Sequence, residues 1–391
     1  MDHALSRRTV LGAAAAAALS GRAMAQAAKP KSPLTVTIVD VAGNLALTQK
    51  AFEAYRKAKP EMVSRFNFTK APAPELPAKL RAQQNANRVD IDLVLTGTDA
   101  LSAGIEQKLW TELLPAQAGS LPKLQDILLE PAWRMQSLAQ GQGVVISYYP
   151  SGPLLEYMPD KVKTAPGTAD ELLDWTKANP NRFIYARPAN SGPGRTFLMG
   201  LPYILGDSDP KDPIKGWEKT WAYLKELDKN IEYYPTGTGA VMKELGEGSR
   251  DMIVSTTGWD INPRVLGIVP KEAKIATLKG FHWVTDAHYA TIPKGLDPER
   301  LAVLLDVISF ILQPAQQALT YDEGYFYPGP AVKDVPITMA PKDSQDAIRE
   351  FGRPEYEKLI ADAPKELPLE PNTMVLAFRR WDEEIGGKKT K

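Results

Sequence analysis

The sequence predicts an α/β protein in two domains, each a mostly parallel sheet flanked by helices. Three observations carry this. Short β-branched strands alternate with amphipathic helices along most of the chain, the pattern of βαβ units. The alternation starts afresh after Trp133, past the break at Gly141 and Gly143. And 391 residues is a length that usually divides into two hydrophobic cores.

The elements follow in order. Leu34 to Val39 alternates β-branched and apolar residues and ends at Asp40, as a buried strand does. Helical spacing runs from Ala46 to Lys59 through Leu47, Ala51, Phe52 and Tyr55, and Pro60 stops it. Arg65 to Phe68 is a second strand, and a proline-rich loop leads from Ala71 into a helix over Ala78 to Ala86. Asp92 to Leu95 is a third, and the turn Thr96 to Asp99 opens another helix. In open α/β sheets ligands sit outside the carboxyl ends of strands, which makes Asp40, Thr96 and Thr98 candidate site residues.

The β-rich run Val144 to Tyr149, with Tyr148 in the candidate set, is expected to pass from one domain to the next. Thr168 with Glu171 forms a capping box that starts a helix through Leu172 and Trp175. Strands at Phe183 to Ala186 and Asp251 to Thr256 and helices at Trp217 to Leu227 and Ala240 to Glu247 continue the series. His282 to Ile292 is extended and can return the chain to the first domain, and helices after Leu301 and Ser344 complete it.

Two constellations carry ligand chemistry. Asn190 to Thr196 and Thr236 to Gly239 are glycine-containing turns at helix starts. Their amides, with Ser191, Thr196 and Thr238, suit carboxylate, phosphate or hydroxyl groups, and Arg195 adds a fork-shaped cation. The same glycines also serve simply as tight connections. The second constellation pairs aromatic faces with acids, Trp259 with Asp260 and Trp283 with Asp286. It provides cation–π contact and a charge-assisted hydrogen bond for an amine. A three-residue step puts Trp283 and Asp286 on opposite strand faces unless a bulge intervenes, so a core tryptophan and a solvated aspartate is the competing reading.

The N-terminus reads as an export signal. Arg7 and Arg8 precede an apolar run from Leu11 to Leu19, and Ala23-Met24-Ala25 offers a cleavage site before Gln26. The run is far short of the roughly 20 residues that span a bilayer. The arginine pair is twin-arginine-like, with the general secretory route as the alternative. The chain has no cysteine for disulfides or lipid attachment, which points to an untethered periplasmic protein. Removing residues 1–25 takes away three arginines and one aspartate, leaving 44 basic and 46 acidic residues. That balance gives no field for nucleic acid or anionic lipid.

Enzyme signatures are missing. The mature histidines are His282 and His288, and neither a Gly-x-Ser-x-Gly elbow nor a His-Glu-x-x-His helix occurs. On a regular strand His282 and His288 stand roughly 20 Å apart, too far to share one metal. Asp286 and His288 are close enough to do so.

The order of motifs resembles type II periplasmic binding proteins, in the branch of spermidine/putrescine-, thiamine- and iron-binding receptors. The likeness is carried by the opening strand Leu34–Val39; by Val89 to Val94 with Lys108-Leu109-Trp110; and by Thr168 to Leu172. It continues in Leu245 to Asp251, Ile292 to Gly295 and Gly324 to Pro328. The resemblance implies two lobes joined by a hinge crossed more than once, with a small-molecule solute in the cleft. It assigns residues 1–25 to the signal, 26–143 to the first lobe, 144–285 to the second, and 286–391 to the return and to C-terminal helices packing across the hinge. It also implies an inner-membrane ABC permease with ATPase subunits as partners, a monomeric receptor, no cofactor, no metal and no catalysis. Polyamine receptors have a Trp–Asp element before Ile-Pro-Lys, which Trp283 and Asp286 before Ile292 resemble with altered spacing. Tyr325 and Tyr327 are similar to the paired tyrosines of ferric-ion receptors, but Phe326 interrupts them, so this is expected to be a packed loop at the cleft rim with Tyr325 in reach of the solute. An amine, an organic phosphate or carboxylate, and a zwitterion all remain compatible with these residues, the amine being favoured.

Overall fold

The computed structural model describes residues 29–72 and 75–389. The expected signal and its cleavage site lie outside the described residues. Ten strands are described: β1 (Leu34–Asp40), β2 (Val63–Lys70), β3 (Leu93–Thr96), β4 (Val144–Gly152), β5 (Leu154–Tyr157), β6 (Phe183–Ile184), β7 (Met252–Ser255), β8 (Lys274–Ala276), β9 (Trp283–Thr291) and β10 (Lys365–Glu366).

They form two sheets. The first runs β2-β1-β3-β9, with β4 and β10 also paired to β9. β1 is parallel to β2 and β3, bringing Asp40 opposite Leu95. The second sheet has the order β6-β7-β5-β8. Each has its own core. Val36, Ile38, Leu93, Leu95, Val145, Tyr289 and Ile308 belong to the first; Phe183, Phe197, Trp217, Leu224, Ile253 and Trp381 belong to the second. This is the two-lobed α/β architecture expected from the sequence, but the second sheet is not mostly parallel: β5 runs antiparallel to both β7 and β8, and only β6 is parallel to β7.

Within the first sheet β4 and β9 pair antiparallel, from Val144 opposite Ala290 to Gly152 opposite Val284, and the second-lobe helix Gly192–Leu205 packs against both. Because β4 is paired with β9 along this length, the passage between lobes falls after Gly152 rather than at Val144, and Leu154 enters the second sheet. The C-terminal part is shared. Val303 to Leu312 packs in the first core, while Leu369, Met374, Ala377 and Trp381 pack in the second. The helix Pro371–Trp381 lies against the helix Thr98–Glu106 of the first lobe.

Local chemistry sets the helix starts. The Asp40 carboxylate accepts hydrogen bonds from the amides of Ala42 (3.0 Å), Asn44 (3.0 Å) and Leu45 (2.9 Å), so it caps the helix Leu45–Ala58. Thr168 Oγ1 accepts from Glu171 N at 3.1 Å, and the Glu171 side chain accepts from Gly167 N at 2.7 Å, closing a capping-box variant one residue earlier than the standard form. Ser191 Oγ accepts from Gly194 N at 3.2 Å at the start of the helix Gly192–Leu205. A side chain at 194 would meet the Ala186 carbonyl oxygen at 2.1 Å, so only glycine lets this helix start lie so close to the loop.

Candidate functional site

Asp286 sits at the centre of the interlobe region because β9 holds it directly opposite Tyr149 of β4. Tyr149 Oη donates to Asp286 Oδ2 at 2.9 Å, Thr98 Oγ1 to Oδ1 at 3.4 Å, and the Ala287 amide to Oδ1 at 2.9 Å. Arg195, from the second lobe, crosses to the same carboxylate with a short Nη2–Oδ2 ion pair. Its Nη1 lies 3.5 Å from Oδ2 of Asp99, at the start of the first-lobe helix Thr98–Glu106. Arg195 is buried, as are Asp286 and Thr98, whereas Asp99 keeps 19 % of its side chain exposed.

Electrostatics follow from this packing. Burial opposes the charge on Arg195, but Asp286 and Asp99 outweigh it and raise its pKa. Burial raises the Asp99 carboxyl, with Arg195 opposing and Asp286 adding to the rise. Burial pushes His288 down to about 4, against the pull of Asp286 and Asp40, so its ring is neutral near pH 7. The ring is held 3.0 Å from Asn44 Nδ2, which also donates to Ser147 Oγ at 3.3 Å; with the amide donating to Nδ1, the imidazole proton is assigned to Nε2. Two carboxylates therefore share one guanidinium beside a neutral histidine.

Around this centre Ser191 Oγ and Thr238 Oγ1 lie 2.8 Å apart, so the two glycine turns singled out in the sequence meet through their hydroxyls. Thr196 Oγ1 donates to the Pro193 carbonyl at 3.1 Å. Trp259 and Tyr325 stack edge to face with centroids 5.4 Å apart and pack on Leu47, Tyr149 and Phe326.

Several expectations are corrected. Asp40 is spent on the helix cap, and Thr96 donates to the Gly97 carbonyl at 2.9 Å within the first core. Tyr148 faces that core, and its neighbour Tyr149 meets Asp286, because successive strand residues point to opposite faces. Asp260 lies inside the second lobe, held by Arg264, Arg353 and Tyr356. Trp283 is core, donating from Nε1 to the Leu359 carbonyl at 3.1 Å; the strand-parity reading applies, and Trp283 and Asp286 do not act together. Asp286 itself is buried, not solvated. Tyr149, Asp99 and Asn44 stand at this centre without having been singled out in the sequence, and His288, weighed there only as a metal partner of Asp286, stands beside them. Among the described residues, no group of three or more His, Cys, Asp or Glu is arranged to hold a metal ion.

Comparison with known proteins bears on the fold and the family. Residues 50–348 match the model of the family described as bacterial extracellular solute-binding protein. No curated protein matches the sequence significantly. Among solved structures, a spermidine/putrescine ABC transporter substrate-binding protein from Streptococcus pneumoniae is 13 % identical with a TM-score of 0.58, covering 89 % of this chain and 99 % of its own. A periplasmic thiamin-binding protein is 16 % identical with a TM-score of 0.63, covering 90 % and 97 %. The periplasmic binding protein AfuA from Actinobacillus pleuropneumoniae, solved with fructose-6-phosphate, is 14 % identical with a TM-score of 0.60, covering 91 % and 99 %. At such identities the likeness speaks for the fold, and the family match speaks for the role. The chain belongs to the bacterial extracellular solute-binding proteins of ABC transport, in the two-lobed type II branch.

Proposed function

We propose that this chain is the periplasmic receptor of an ABC importer and captures a small organic amine, polyamine- or thiamine-like, between its lobes. The carrying observation is the charge balance of the cleft, where Asp99 and Asp286 together meet only Arg195 while His288 is neutral. Two carboxyl groups facing one resident cation leave acceptor capacity that a cationic guest can fill, and such a guest would offset the burial that raises the Asp99 carboxyl. The guanidinium of Arg195 already illustrates what these carboxylates accept, and Trp259 and Tyr325 supply aromatic faces nearby.

In this reading the signal over residues 1–25 is cleaved after export, and the mature chain acts as a monomer. Lobe closure holds the solute until a permease with its ATPase subunits takes it, and nothing is turned over. A second reading, a phosphorylated or carboxylated organic anion, is favoured by Arg195, Ser191 and Thr238 lying on one wall at helix starts.

A thermal-shift screen of polyamines, thiamine compounds and phosphate esters separates the two, since a saturating ligand stabilises by RT ln(1 + [L]/Kd). Amines should raise the Tm of the wild type and leave Asp286→Asn unmoved. A shift with phosphate esters that depends on Arg195 and ignores Asp286 transfers the assignment to the anion. A ligand consumed during incubation overturns the receptor role.

A further inference from the structure

A cavity of about 430 Å³ lies between the helices Thr98–Glu106 and Pro371–Trp381, and Asp99 of the charged centre is one of its lining residues. Ala100 and Ala103 of the helix Thr98–Glu106 form one wall, and Met374, Val375 and Phe378 of the helix Pro371–Trp381 form another. This is the size range of small-molecule sites, and its walls are mainly apolar, with few polar groups. Two charged side chains border it. Arg81 is exposed and donates to Gln107 Oε1 at 2.9 Å, whereas Asp99 is tied to Arg195 at 3.5 Å and so joins the cavity to the cleft centre. The walls come from both lobes, so the cavity takes shape only when they are together. The Met374–Phe378 wall also lies beyond residues 50–348, the part that matches the family model.

We infer that the cavity is a specificity subsite for an apolar arm of the solute, which makes the guest an amphiphilic amine with its ammonium group towards Asp99 and its hydrocarbon or aromatic body between Ala103 and Phe378. This rests on the amine reading above. A hydrocarbon body leaves water for surfaces that are already apolar, and each buried methylene adds a fixed increment of affinity until the cavity is full. A wholly hydrophilic polyamine leaves those walls uncovered and gains nothing there.

The test is calorimetric titration of the mature chain with butylamine, hexylamine, octylamine and phenethylamine, with putrescine as the polar control. The expected result is a Kd that falls roughly threefold to fourfold per added methylene, levels off when the cavity is filled, and leaves putrescine weaker than hexylamine. Ala103→Trp fills the space and should bring the octylamine-to-butylamine affinity ratio close to one. Phe378→Ala enlarges it and should move the plateau to longer chains, which keeps the inference testable where the tryptophan disturbs folding. Amine binding that is flat with length, or a length dependence that both variants leave intact, overturns the subsite and spares the amine reading. Binding of phosphate esters with no amine bound overturns both.

Discussion

Of two buried ion clusters, one lies around Asp260 away from the cleft and the other bridges the lobe junction, and their balance of acids and arginines is opposite. In the second lobe, Asp260 takes two arginines and a tyrosine, with Arg353 Nη2 at 2.6 Å and Tyr356 Oη at 2.6 Å. At the cleft, two aspartates share Arg195 alone. The first cluster joins the helix Thr257–Val265 to the segment around Arg353 within one lobe, and every oxygen of Asp260 is saturated. The second joins the two lobes and sets two carboxyl groups against one guanidinium. A saturated buried cluster locks a shape, whereas an unbalanced one between two lobes has capacity for a guest.

Breaking the saturated cluster should have the largest effect. Asp260→Ala leaves Arg264 and Arg353 as buried cations without their carboxylate, and about 3–5 kcal/mol of stability should be lost. Urea denaturation reads this directly, and a loss below about 1 kcal/mol would erase the distinction between the clusters. Asp286→Asn comes next. It keeps the size of the side chain and removes the charge, so the amine-dependent Tm shift should vanish while the unliganded protein loses less than Asp260→Ala does. Arg195→Ala should do the reverse for binding. It removes the resident cation, spares the amine-dependent shift, and should expand the unliganded protein in small-angle scattering because the ion pair across the cleft is gone.

The fold was far more legible than the site. Strand alternation at Leu34–Val39, the Thr168–Glu171 box and the Ser191 turn are local patterns, and each became the element it announced. Site residues depend on partners distant in the chain. Asp260 and Asp286 each follow a tryptophan closely, yet Arg353 and Tyr356, 93 and 96 residues away from Asp260, turn one into scaffold. Tyr148 and Tyr149 differ only in strand parity, which is fixed by pairing with β9 and by nothing in the run itself. Asp99 was visible in the turn after β3, where helix starts and strand ends coincide. Its importance comes from Arg195, 96 positions later, and no local signal links the two.

The smallest expected effect sharpens the comparison on the scaffold side, at Glu156. This β5 residue is fully buried beside the Asp260 cluster, with Ser255 as a polar neighbour. Burial raises its pKa to about 8, Asp260 adds to the rise, and Ser255, then Arg353 and Arg264, oppose it. Protonated Glu156 is thus the folded form near neutrality, while in the unfolded chain the group ionises near its ordinary value of about 4.3. Between those values the native state binds the extra proton, so unfolding free energy falls as pH rises. The contribution is fully present below the unfolded pKa and is lost as pH passes through about 8. Glu156→Gln keeps the neutral form at every pH, so the wild-type decline between pH 5 and pH 8 should flatten and the variant should be the more stable of the two at pH 8. Chemical denaturation at those two pH values measures it. An unchanged slope would mean that Glu156 is ionised in the fold and completes the charge of Arg264 and Arg353, which would make the scaffold cluster balanced in charge rather than cationic.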